Sequence, residues 1–163
     1  MPAAVTVDFK RLVELHKSSD DIGKAVTDIP KYVNETCCVQ ISYALNRSGG
    51  AIHEYRFPDP TLNNNHVNAF KSKDNYFYIF GVPDMKIYLN NVYGKAENYK
   101  GSKDEMIAKI QGRTGLLAFG HRHIDIWLED HWHLQRHYYD LWTFPSTQLR
   151  GCFFWEASST GDN

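Results

Sequence analysis

The sequence predicts an α+β fold, in which N-terminal helices pack on an antiparallel sheet and the helices all lie on one face of that sheet. Two observations lead to this prediction. Apolar residues recur at helical spacing near the start of the chain, at Phe9, Leu12 and Val13. Later in the chain, short apolar or alternating runs bounded by turn residues predict strands. The 163 residues suffice for one domain, which we predict over residues 1–157, with a disordered tail over 158–163.

Helices are predicted at five places by apolar periodicity and by residues that favour helix ends. Asn34 or Thr36 can cap the third helix, and Gly49 and Gly50 end it. The spacing Ser-x-x-Glu from Ser102 is that of a capping box and opens the last helix. The predicted helices cover residues 7–17, 20–33 (broken near Pro30), 36–46, 83–93 and 102–111.

Strands follow from alternating apolar patterns and from aromatic or β-branched runs. Residues 56–65 contain two prolines and three consecutive asparagines and are expected to form a loop. A turn at Glu129 and Asp130 separates the two strands on either side of it. The predicted strands cover residues 76–80, 114–119, 123–128, 132–139 and 151–156.

The composition excludes several classes of function. A formal charge of −1 gives no bulk attraction to nucleic acid or to an anionic membrane, and we expect neither as a partner. No stretch reaches the apolar length of a transmembrane helix. The first residues have neither a basic start nor a long apolar run, so no Sec-type signal is expected.

Three cysteines are present, and an odd number argues against a disulfide framework. A bond between the adjacent Cys37 and Cys38 would be strained. Pairing of Cys38 with Cys152 stays open. The simplest assignment is one reactive thiol and two buried ones.

Cys37 at the start of a predicted helix and His123 on a later strand are the best functional clue in the chain. A helix N-terminus and a nearby imidazolium can lower a thiol pKa of roughly 8.5 by several units, which yields the nucleophilic thiolate. The free N–H groups of the helix can stabilise an oxyanion, and a histidine can move the proton. The pattern predicts a cysteine hydrolase.

The same segments resemble the type VI secretion amidase effectors of family 4. The run Thr36 to Asn46 ends in Ser-Tyr-Ala-Leu-Asn, like the catalytic helix of that family. The run His123 to Trp127 is similar to the family's His-x-Asp-Leu-Trp, and the likeness covers most of residues 34–157. The resemblance implies a papain-like fold of the NlpC group, with Cys37 as nucleophile and His123 as general base.

The resemblance also implies a substrate, partners and a place of action. The substrate would be the peptide stem of peptidoglycan, cut between D-glutamate and meso-diaminopimelate. Export would use the type VI secretion apparatus, without a signal peptide, and the enzyme would act in the periplasm of target bacteria. A cognate immunity protein would block its groove. Neither a cofactor nor a metal is expected.

The sequence departs from the family pattern around the histidine. The charged Arg122 precedes His123, and no aspartate lies at the place where the family carries its third catalytic residue. A side chain that accepts a hydrogen bond from the imidazole is still needed. Asp125 shares a face with His123, but an i, i+2 neighbour usually cannot orient the ring. Strand register favours Gln135, with the alternatives His133, His137, Asp130 and Asp140 left open.

Two other functions compete with a cysteine amidase. The first is a zinc-dependent hydrolase, because His-x-His pairs on adjacent strands can bind zinc. Its ligands would be His121, His123, His131 and His133. The second is a catalytically silent binding module of the same fold. Chelator sensitivity separates zinc from thiol chemistry, and thiol alkylation separates an active enzyme from a silent fold.

Overall fold

The computed structural model describes residues 3–52, 67–133 and 140–157. After the first three helices, strands predominate and helices are interspersed among them. In chain order, the elements are α1 (Phe9–Leu15), α2 (Ser19–Ala25), α3 (Cys37–Asn46), β1 (Ala69–Lys71), β2 (Phe77–Ile79), α4 (Val82–Tyr93), β3 (Glu97–Tyr99), α5 (Lys103–Ile110), β4 (Arg113–Phe119), β5 (His123–Glu129), β6 (His131–Trp132), a 3-10 helix (Leu141–Thr143), α6 (Pro145–Arg150) and β7 (Cys152–Glu156).

A five-stranded antiparallel sheet in the order β3-β7-β4-β5-β6 organises the molecule. β4 lies between β7 and β5 and pairs with both along most of its length. β6 pairs only with Trp127 and Leu128 of β5. The first half of β5 therefore lies at the open edge of the sheet, as far as the described residues extend. β1 and β2 form a separate antiparallel pair.

The larger core lies between one face of the sheet and helices α1, α3 and α4. Ile41, Ala44 and Leu45 are fully buried, as the predicted apolar stripe of the third helix requires. α4 adds Met85 and Leu89, which are also fully buried. The prediction that the early helices pack on the sheet is confirmed, and this packing carries the N-terminus of α3 to the sheet.

A second core covers the opposite face of the sheet, so the prediction of helices on one face only is wrong. α5 contributes Met106 and Ile110, and the 3-10 helix contributes Trp142. They pack against Trp127 and other side chains of that face. The strands are apolar on both faces, and short runs such as Leu116 to Phe119 must be buried from both sides.

One predicted helix start is confirmed, and one predicted helix end is wrong. The capping box at Ser102 and Glu105 is formed with both of its hydrogen bonds. α2, in contrast, ends at Ala25, and the prediction of a helix to residue 33 is wrong. Asp28 instead accepts hydrogen bonds from the Ser72 hydroxyl and the Lys73 N–H, which tie this segment to the β1–β2 connection.

Other predictions lie partly beyond the described residues. The loop over 56–65, most of the strand over 132–139 and the tail over 158–163 belong to this group. None of the helices in the described part of the chain is long and apolar enough to cross a membrane.

Candidate active site

Cys37 is the first residue of α3, and 8% of its surface is exposed. The first N–H groups of a helix have no partner within the helix, so they face the region of this thiol. Thr36 is the N-cap residue, as predicted, but its side chain makes no capping bond. Its hydroxyl donates instead to the side chain of Gln40 at 3.1 Å. The helix end is therefore left without a side-chain acceptor from its N-cap residue.

His123 is the first residue of β5 and pairs across the hairpin with Phe119 of β4. The connection between these strands is tied to the start of α3 by an ion pair. Arg122 Nη1 donates to the carboxylate of Glu35, with 2.7 Å to Oε2. Arg122, which departs from the family pattern, therefore joins the histidine loop to the segment that precedes the cysteine helix.

The structure brings Cys37 and His123 into hydrogen-bond contact. A hydrogen bond with the neighbouring Cys38 thiol is the largest influence on the pKa of Cys37. Burial raises the pKa of Cys37, but the hydrogen bond with Cys38, together with a hydrogen bond and the charge of His123, holds it well below its ordinary value. Burial also opposes a charge on His123, yet hydrogen bonds with Asp125 and Cys37 raise its pKa from 6.5 to about 9. Both shifts favour the thiolate of Cys37 and the imidazolium of His123.

The carboxylate of Asp125 contacts the ring of His123, although an i, i+2 neighbour is expected to reach such a ring only rarely. His123 Nε2 lies 3.2 Å from Asp125 Oδ2. The other oxygen, Oδ1, accepts the backbone N–H of Ile126 at 2.7 Å. This backbone bond turns the carboxylate along the open edge of β5, where it reaches the ring two residues earlier. Asp125 is 2% exposed, so water competes little for it.

Two further histidines border the buried carboxylate. His16, at the C-terminal end of α1, places Nδ1 at 3.7 Å from Asp125 Oδ1. The same nitrogen lies 3.0 Å from Nδ1 of His133. Burial, His133 and His123 outweigh the attraction of Asp125 and lower the pKa of His16 to about 4. His133 is one of the alternatives for the orienting role, but its ring contacts His16.

The other residues considered for the orienting role lie elsewhere. Gln135 and His137 fall outside the described residues, so the choice of Gln135 stays a prediction. Asp130 contacts its neighbour His131 at 2.6 Å. Asp140 caps the 3-10 helix by accepting a backbone N–H. These aspartates are therefore engaged in local contacts.

The four histidines of the zinc alternative do not converge on one point. His121 contacts Lys86 Nζ at 3.2 Å, while His131 is bonded to the preceding aspartate. His123 and His133 belong to the cluster around the buried carboxylate. Within the described residues, no group of three or more His, Cys, Asp or Glu side chains is placed to hold a metal ion.

All three cysteines are buried, and none of them forms a disulfide bond. Cys38 follows the nucleophile candidate on α3 and is 1% exposed. Burial raises the pKa of Cys38 well above its ordinary value, so its thiol keeps its proton. Cys152 lies on β7, where burial raises its pKa to about 11. The possible pairing of Cys38 with Cys152 is absent.

A buried thiol, imidazole and carboxylate joined in series, with the thiol at a helix start, are typical of cysteine hydrolases. Residues 32–155 match the family model described as type VI secretion system (T6SS), amidase effector protein 4. The match spans most of the chain, and the protein belongs to this family of amidase effectors. It is thus a member of a family of hydrolases.

Solved structures support the same assignment of fold. The effector Tae4 from Salmonella typhimurium, in complex with the immunity protein Tai4 from Enterobacter cloacae, superposes with a TM-score of 0.64 at 20% identity. That comparison covers 93% of this chain and 99% of the other. Tae4 from Enterobacter cloacae gives 0.64 at 20% identity in its Tai4 complex and 0.61 at 19% alone, each covering 97% of this chain and 100% of the other. No curated protein sequence matches the chain significantly.

Proposed function

We propose that this protein is a cysteine amidase with a papain-like site of the NlpC type. Its proposed substrate is the peptide stem of peptidoglycan, cut at the amide between D-glutamate and meso-diaminopimelate. The observation that carries the proposal is the series Cys37, His123 and Asp125, in which a helix-start thiol meets an oriented imidazole. Membership of an amidase effector family supports the reaction class.

The first half of the proposed reaction forms a thioester. The thiolate of Cys37 attacks the amide carbonyl carbon, and the carbonyl oxygen becomes an oxyanion. The backbone N–H of Cys37 and the positive end of α3 stabilise this charge. The imidazolium of His123 then gives its proton to the leaving amine, and the carbon–nitrogen bond breaks.

The second half releases the acid and restores the thiolate. Neutral His123 takes a proton from water, whose oxygen attacks the thioester carbon and displaces the sulfur of Cys37. Asp125 holds the ring through Nε2, which leaves Nδ1 as the nitrogen that faces the thiol. Its negative charge also stabilises the imidazolium, which is present before the first half and forms again when His123 takes the proton from water. In this proposal Asp125 takes the role that the strand register suggested for Gln135.

The proposed biological setting is attack on rival bacteria. The family description names type VI secretion, and we propose export through that apparatus and action in the periplasm of the target cell. Related effectors from Salmonella typhimurium and Enterobacter cloacae occur in complexes with Tai4 immunity proteins. By analogy, a cognate immunity protein is the proposed partner of this chain, and the surface beside Cys37 is its proposed target.

Digestion of purified peptidoglycan sacculi tests the proposal. Wild-type protein and the variants Cys37→Ala and Cys152→Ala are incubated with sacculi, and the fragments are identified by mass spectrometry. The second variant is the matched control, because it removes a buried thiol from β7, far along the chain from the site. We expect new D-glutamate and diaminopimelate ends with wild type and Cys152→Ala, and none with Cys37→Ala.

Two results would contradict the proposal. Digestion by a folded Cys37→Ala protein would show that Cys37 is not the nucleophile. An absence of digestion by wild type, under conditions in which its thiol is reactive, would show that the substrate is wrong. Chelator treatment of the active protein adds an independent check, because thiol chemistry is insensitive to it.

A further inference from the structure

The end of α1 is fixed beside the first turn of α3. The side chain of Gln40 donates to the backbone carbonyl of Lys17 at 2.6 Å, which joins the residue after His16 to the helix of Cys37. Leu12 anchors the same helix in the main core and is fully buried. His16 is consequently held in one place, with 5% of its surface exposed.

The contacts of His16 define which ring nitrogen carries its proton. Nδ1 of His16 lies 3.0 Å from Nδ1 of His133, so one of these nitrogens must donate and the other accept. Nδ1 of His16 also lies 3.7 Å from Oδ1 of Asp125. A lone pair on that nitrogen would face a carboxylate oxygen, which is unfavourable, whereas an N–H there is attracted by it. We therefore assign the proton to Nδ1 of His16.

We propose that His16 is a positioning residue of the active site, whose neutral imidazole, held by His133, turns the Asp125 carboxylate toward His123. The carboxylate then has the Ile126 N–H and the His16 ring on one side and the imidazole of His123 on the other. This inference rests on the proposed function. His16 precedes residues 32–155, the part that matches the family model, so the N-terminal helix supplies it from outside that part.

Neutrality of His16 matters for this role. The titratable groups that face it are Asp125 and His123 from β5 and His133 after β6. A charged His16 would compete with His123 for the carboxylate of Asp125. Because burial keeps His16 uncharged down to a pH of about 4, the negative charge stays available to His123 at neutral pH.

The pH dependence of Cys37 alkylation tests the proposal without any substrate. Iodoacetamide is reacted with folded protein across a pH series, and modification of Cys37 is followed by peptide mapping. The variants are His16→Leu, which removes the polar ring, and His16→Asn, whose amide nitrogen occupies nearly the place of Nδ1. Glu14→Gln, an exposed change on the same helix, is the matched control.

We expect His16→Leu to raise the apparent pKa of Cys37 by about one pH unit, because a displaced Asp125 stabilises the imidazolium less. His16→Asn should restore most of the wild-type profile, and Glu14→Gln should not change it. A folded His16→Leu protein with the wild-type profile would overturn the proposal, since a purely structural role changes the melting temperature alone. If His16→Leu does not fold, His133→Leu takes its place, with a smaller shift in the same direction expected and no shift overturning the proposal.

The outcomes separate this inference from the proposed function. An alkylation shift in a protein that does not cut sacculi would retain the role of His16 and reject the substrate. Sacculus cleavage with no shift in His16→Leu would retain the amidase and reject the role of His16.

Discussion

Replacement of Asp125 by asparagine removes the charge that supports His123 with little change in shape. Bonds and charges from Asp125 and Cys37 overcome burial and raise the pKa of His123 from 6.5 to about 9. At about 1.4 kcal/mol for each pH unit, they favour the imidazolium by about 3 kcal/mol. If Asp125 supplies half of this, Asp125→Asn lowers the pKa of His123 by about one unit or more. The amide of the introduced asparagine also favours the wrong tautomer of His123. We therefore expect kcat/KM on sacculus fragments to fall about 10²- to 10⁴-fold.

The assay is an NMR titration of the His123 ring in wild type, Asp125→Asn and the control Asp21→Asn, which removes an exposed carboxylate on α2. The control should titrate like wild type. An unchanged titration of His123 in a folded Asp125→Asn protein would refute the assignment of Asp125 as the orienting residue.

Three further predictions concern stability and thiol activation. The pKa of His16 is about 4 in the fold and 6.5 as a model value, so the unfolded chain binds more protons between these values. Stability should therefore fall as the pH drops through this window, by up to about 3 kcal/mol, and urea unfolding of His16→Asn should show a smaller loss. Cys38→Ala removes a hydrogen bond to the Cys37 sulfur, and the alkylation rate of Cys37 at pH 6 should fall several-fold. Gly115→Ala would force a methyl group against the Trp155 carbonyl of β7, and urea unfolding should show a loss of about 3 kcal/mol.

Each of these predictions has an outcome that would contradict it. Equal pH slopes for wild type and His16→Asn would show that His16 is not held neutral by burial. An unaltered alkylation rate in Cys38→Ala would show that the Cys38 thiol does not contribute to activation of the nucleophile. A Gly115→Ala protein as stable as wild type would mean that β4 and β7 are less closely packed than described.

Local patterns predicted the elements that carry the active site. The helix that starts at Cys37, the strand that starts at His123 and the capping box at Ser102 all depend on neighbouring residues. Periodicity and capping residues are visible within a few positions of sequence, and these three elements formed where they were expected.

From sequence, Asp125 is set aside because an i, i+2 neighbour on the same face of a strand usually cannot orient a ring. Side chains stand roughly perpendicular to the sheet, so two neighbours on one face, such as His123 and Asp125, are expected to lie side by side and apart. Among the described residues, β6 pairs only with the last part of β5, and the Ile126 N–H donates to the Asp125 carboxylate instead of to a neighbouring strand. An edge of this kind depends on where a neighbouring strand stops, which the pattern within β5 does not indicate.

His16 had no local signal at all. It lies more than one hundred positions before His123 and follows an ordinary amphipathic helix. Only the docking of α1 on α3, fixed by Leu12 and by the Gln40 bond to the Lys17 carbonyl, brings it to Asp125. Long-range packing of this kind cannot be predicted from helical periodicity alone.

The pH profile of Cys37 alkylation in wild type and His123→Gln tests the central claim most directly. The claim is that Cys37 is a thiolate at neutral pH because His123 is an imidazolium beside it. We predict that wild-type Cys37 reacts at pH values well below the ordinary thiol pKa of roughly 8.5, and that His123→Gln moves the profile to higher pH. Identical profiles in the two folded proteins would contradict the account.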